Sequence, residues 1–124
     1  MVEEPTTLVR RAYDAWNWYG TAHLEPFLAD DVVLHDWEEL ADAATWRGRA
    51  AVIARLEEVG SRVGGGWVEL NDVRTVDEGV RVEMEWKLDR GGDERGVSLG
   101  DLCHLVGVEG GKITSIRVVL RGEE

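Results

Sequence analysis

Cysteine occurs once in these 124 residues, at Cys103, beside two prolines and one phenylalanine. A lone cysteine excludes an intrachain disulfide and a multi-cysteine zinc site. No apolar run approaches the roughly 18 residues of a membrane-spanning helix. The start Met1-Val2-Glu3-Glu4-Pro5 has neither the basic residues nor the apolar stretch of a secretory or transit signal, so the cytoplasm is the expected location. His23, His35 and His104 show no His-x-His or His-x-x-x-His spacing, which argues against a metal site. Basic residues are scarce, 14 Lys and Arg against 25 Asp and Glu, and the net charge of −11 would repel a phosphate backbone. A glycine-rich phosphate loop is also missing, since Gly64 to Gly66 follow a helical pattern and precede a strand, the reverse of the required order. Neither metal, cofactor, nucleic acid nor membrane is expected as a partner.

What is present suits one soluble domain over residues 1–124, with 44% hydrophobic and 31% charged residues. Leu8, Val9, Ala12, Tyr13, Trp16 and Tyr19 fall at helical spacing after Pro5, and a shorter helical pattern runs through Leu24, Phe27 and Leu28 with Pro26 limiting its start. Val32 to Trp37 reads as a strand, and Glu38 to Thr45 as an irregular loop. A third helix starts at Arg49, with Val52, Leu56, Val59 and Val63 on one face, and stops at Gly64-Gly65-Gly66. Beyond it Val80, Val82, Met84, Trp86 and Leu88 alternate with Arg81, Glu83, Glu85 and Lys87, the pattern of a half-buried strand. Turn residues at Asp77-Glu78-Gly79, Arg90-Gly91-Gly92-Asp93 and Glu109-Gly110-Gly111 separate four strands near 67–76, 80–88, 96–107 and 112–121. Helices first and strands after predict an α+β fold with an antiparallel meander.

Arg11-Ala12-Tyr13-Asp14-Ala15-Trp16-Asn17, Leu28-Ala29-Asp30-Asp31-Val32, His35-Asp36, Trp46-Arg47-Gly48-Arg49-Ala50-Ala51-Val52 and Gly111-Lys112-Ile113-Thr114-Ser115-Ile116-Arg117 follow one another in a familiar order. Together they resemble the nuclear transport factor two-like superfamily, in its ketosteroid isomerase-like and SnoaL-like polyketide cyclase branch. The resemblance implies a cone: a curved antiparallel sheet with three N-terminal helices over its concave face and a pocket between them. It implies nothing firm about reaction, because this fold hosts isomerases, cyclases, dehydratases, hydrolases and plain binding proteins.

Asp36 falls where steroid isomerases carry their proton-moving aspartate, on the strand face of Val32 and Leu34. A carboxylate there would be desolvated, as suits a general base, whereas at a strand end beside an arginine it would be structural. Steroid isomerases complete an oxyanion hole with a tyrosine and a protonated aspartic acid. In the resemblance those positions are Ala12 and Cys103, so a steroid isomerase is not expected. Tyr13 points about 100° away from Ala12 around the helix, and Asp101, two residues before Cys103, would offer a carboxyl to the same cavity. His35, Trp37 and His104 would face outward, where the family commonly dimerises, and His23 has no role. Six tryptophans, at 16, 18, 37, 46, 67 and 86, are the unusual feature of the composition. Trp16 and Trp86 are expected as walls for a small, largely apolar ligand, with Val82 and Met84 on the inward strand face and, through the resemblance, Ile116, Val118 and Leu120.

Two functions follow. One is a cofactor-independent isomerase, cyclase, dehydratase or hydrolase with Asp36 as base and Asp101 in support; the other is a non-catalytic binding protein for an apolar metabolite. Inward-facing carboxylates near one ligand would favour the first, and Asp36 tied to an arginine the second. A homodimer through the outer sheet face is expected, because the helices can cover only the other face.

Overall fold

A computed structural model describes residues 4–37, 42–62, 67–77, 79–88 and 97–120. The expected turn at Arg90 to Asp93 and the helix stop at Gly64 to Gly66 lie outside them. Helix α1 spans Pro5–Tyr19, with proline in the first turn where its missing N–H costs nothing, and Gly20 receives the chain at φ 102°. Its buried side is Leu8, Val9, Ala12 and Tyr13. The second helical pattern is a 3-10 helix, Thr21–Phe27, rather than an α-helix. Pro26 inside it removes a donor, and Leu28 already belongs to the next strand. Helix α2 is Arg49–Arg62.

Six strands follow the order β2-β1-β6-β5-β4-β3. They are β1 Leu28–His35, β2 Thr45–Arg47, β3 Trp67–Val76, β4 Gly79–Leu88, β5 Val97–Glu109 and β6 Lys112–Leu120. β3 to β6 form the expected antiparallel meander. Two features were not expected: β2 emerges from the end of the presumed loop, and β1 pairs parallel to β6. A parallel pair requires a long connection, and here most of the chain intervenes. Register shifts at Leu70/Asp72, Trp86/Lys87 and Gly107/Val108 mark bulges, which bend strands and add to the curvature of the unclosed sheet.

Directly opposed residues share a face, so the ladder decides what points inward. One inner row runs Trp46, Leu34, Ile116, Val106, Val80 and Thr75 from β2 to β3. The next holds Val118, His104, Val82 and Val73. Val9, Ala12 and Tyr13 of α1, Leu24, and Val52 and Leu56 of α2 close over these rows as one core. The outer face carries Thr45, His35, Arg117, Leu105, Arg81 and Arg74 in one row, and Val119, Cys103 and Glu83 in another. No helix among the described residues is long and apolar enough to cross a membrane.

Candidate functional site

Asp36 follows β1 immediately, and the pleat turns it to the inner side with Val32 and Leu34, as expected. Four donors meet its carboxylate. Arg55 of α2 approaches through Nε at 3.2 Å from Oδ1 and Nη2 at 3.0 Å from Oδ2. The Trp46 indole N–H donates to Oδ2 at 2.8 Å and the Ala44 backbone N–H at 3.1 Å. Arg55 lies under the Trp46 ring, 5.0 Å from its centroid, and also binds Asp42 and Glu58. Its guanidinium is held more basic than usual, chiefly by the hydrogen bond to Asp42, against the opposing pull of burial and with help from Asp36. A small open cavity of about 340 Å³ touches this cluster from outside, lined by His35, Asp36, Ala43, Ala44, Thr45 and Arg117.

A larger groove, about 380 Å³, opens between the C-terminal halves of both helices and the end of β4. Trp16, Asn17, Gly20 and Thr21 form one side, Leu56, Glu57, Gly60 and Ser61 the other, and Trp86 the sheet wall. The rings of Trp16 and Trp86 meet edge to face, centroids 6.3 Å apart. Gly60 lies beside the Trp86 ring, and a Cβ there would stand 3.6 Å from it, an ordinary packing distance. Trp16 and Trp86, the residues expected as ligand walls, thus line one groove. Ala12, Val82, Met84 and Ile116 are closed core instead, each 2% exposed or less. Val118 packs partly buried against that core, and the side chain of Leu120 lies outside the described residues.

Two expectations on β5 are corrected. Cys103 opposes Glu83 and Asp101 opposes Glu85, so both stand on the outer face, Asp101 exposed. His104 opposes Val82 and faces inward, where only 4% of it is exposed. A one-residue slip in a strand exchanges every side chain between faces. Cys103 remains a buried thiol whose pKa burial raises, with the Arg81 charge opposing.

The inward turn of His104 creates a pair that sequence reasoning missed. Tyr13 Oη and His104 Nδ1 lie 2.6 Å apart, both side chains buried. Burial pushes the imidazole down to about 4 and the phenol, helped by Cys103, upward. Both are therefore neutral near pH 7, and the tautomer of the imidazole sets which of the two donates. The rings meet edge to face, and Tyr13 packs against Trp16 in the same way. The signal is the Val82–His104 register between β4 and β5, which alternation along a single strand does not reveal. Among the described residues no three His, Cys, Asp or Glu side chains form a group that would hold a metal ion.

No curated protein sequence matches the chain. Solved structures do. Bal32a, from a soil-derived mobile gene cassette, is 22% identical, with 95% of this chain and 89% of that one covered at a TM-score of 0.76. TerC, co-crystallised with polyporic acid, is 17% identical over 94% of this chain and 92% of its own, TM-score 0.74. A ketosteroid isomerase-like protein from Catenulispora acidiphila DSM 44928, in complex with trimethylamine, is 18% identical over 96% and 86%, TM-score 0.69. At these identities the likeness is one of fold. The SnoaL-like domain matches residues 9–116, from the first turns of α1 into β6, and the chain belongs to the SnoaL-like domain family.

Proposed function

We propose that this protein binds a small organic molecule in the groove walled by Trp16 and Trp86, and that Asp36 anchors the fold rather than moving protons. The observation that carries the anchor role is the set of four donors on Asp36, two of them from one buried arginine. A general base needs a lone pair open to substrate, and Oδ2 alone accepts three of these contacts. The groove has the volume and the mixed lining of a small-ligand site. Relatives in fold support a ligand without fixing it: polyporic acid is held by TerC and trimethylamine by the Catenulispora protein.

Native mass spectrometry of the purified protein, followed by indole-detected NMR titration of whatever is retained, tests this. The expected result is a bound small molecule whose addition moves the Trp16 and Trp86 indole signals, with affinity kept in Asp36→Asn. Turnover of that molecule, lost in Asp36→Asn, would overturn the reading.

One observation favours the enzymatic alternative, with an isomerase, cyclase or hydrolase type of reaction. Tyr13 and His104 set a phenol and an imidazole within hydrogen-bond distance on the concave side, residue types that serve as general acid and base. Under that alternative Tyr13→Phe abolishes turnover while ligand affinity stays.

A further inference from the structure

We propose that the occupant of the Trp16–Trp86 groove is a small organic cation, an alkylammonium or quaternary ammonium compound; this rests on the groove being the ligand site. Among the described residues its lining carries one formal charge, the Glu57 carboxylate, and no lysine or arginine. Glu57 is exposed, and no side chain among the described residues pairs with it. Its neighbour Glu58 is spent on Arg55 at 3.0 Å. Successive positions on α2 thus leave one carboxylate at the groove and commit the next to the fold.

The rest of the lining agrees with a cation. Two indole rings inclined at 68° make a corner rather than a parallel slot, which suits a compact charged head more than an extended plate. The faces of indole rings attract cations within about 6 Å, tryptophan most strongly of the aromatic side chains. Asn17 is largely committed to the backbone, one amide N–H donating to the Val68 carbonyl at 2.6 Å and Oδ1 accepting from the Val68 N–H at 3.0 Å, which leaves a single N–H and no positive charge to offer an anion. A hard metal ion is a poor fit, since it takes about six oxygens and this lining supplies a single carboxylate among aromatic walls. The chain's net charge of −11 enriches cations around it.

The test compares choline with 3,3-dimethylbutan-1-ol, its neutral carbon isostere, and with benzyl alcohol as a neutral aromatic, by NMR titration of the indole N–H signals at low salt. Choline is expected to move the Trp16 and Trp86 signals and to bind at least about tenfold more tightly than the isostere. Glu57→Gln, at an exposed position that leaves the fold intact, should bring choline down to the isostere's level, and Trp86→Phe should weaken choline more than benzyl alcohol. If either neutral probe binds at those indoles as well as choline does, and Glu57→Gln changes nothing, the cation inference falls and the groove stands as a ligand site. If no probe moves those two signals, both the inference and the groove reading fall.

Discussion

Arg55 and Asp36 face each other with side chains only 1% and 4% exposed, joined at 3.0 Å and 3.2 Å through two nitrogens of one guanidinium. The pair ties α2 to the end of β1, and Asp42 and Glu58 close the arginine's remaining donors. Removing the arginine takes the opposite charge from the buried Asp36 carboxylate, whereas Asp42 and Glu58 are about half exposed and stay solvated. Arg55→Gln should therefore cost about 3 to 5 kcal/mol, the usual penalty for breaking a buried pair from one side. Arg55→Lys should recover only part, because an ammonium cannot reproduce the planar fork. Urea unfolding of the two variants beside the native protein measures both.

His104 predicts an acid-sensitive fold. In the unfolded chain its imidazole takes a proton near pH 6.5, while in the fold burial delays this to about 4. Between those values the unfolded state binds more protons, so stability falls as pH is lowered through that window. The full effect is at most roughly 3 kcal/mol. Stability measured from pH 7.5 to 4.5 should fall less steeply in His104→Gln than in the native protein, and identical slopes would contradict the burial of this ring.

Gly79 opens β4 at φ 136°, and a Cβ there would stand 2.3 Å from the Val106 carbonyl oxygen. Backbone strain and backbone overlap combine at this position, so Gly79→Ala should destabilise by about 2 kcal/mol or more. Thermal melting checks it. Gly110 at φ 60° has open space around its would-be Cβ, and Gly110→Asn should be tolerated far better.

The outer face of the sheet is expected to pair two copies of the chain. Leu105 and Val119 are half-buried there, flanked by Arg81, Arg117 and Glu83. Light scattering at micromolar concentration should give twice the chain mass, and Leu105→Glu should halve it. A monomeric native protein would contradict the expectation.

The fold was largely legible because the helix of Leu8 to Trp16 and the alternation from Val80 to Trp86 are long and strongly periodic. The placement of Trp16 on the helix and of Trp86 on the strand was legible for the same reason. The inner partners of β5 were not. Alternation fixes which residues share a face but not which face, and the phase of Cys103 against His104 depends on the β4–β5 connection and on a bulge at Trp86/Lys87. With Cys103 taken as the inward residue His104 falls outside, and Tyr13 is left without its partner. Arg55 escaped because an arginine on an amphipathic helix looks like surface; only the tertiary meeting with Asp36, Asp42 and Trp46 distinguishes it.

The role of Asp36 is tested most directly by the stability of Asp36→Asn at neutral pH. An anchor receiving four donors should lose about 1 to 3 kcal/mol on replacement, less than Arg55→Gln because Asp42 and Glu58 still hold the arginine. Ligand affinity in the groove should survive. A variant as stable as the native protein or more so, as expected when a costly buried base is neutralised, would contradict the anchor reading and return Asp36 to chemistry.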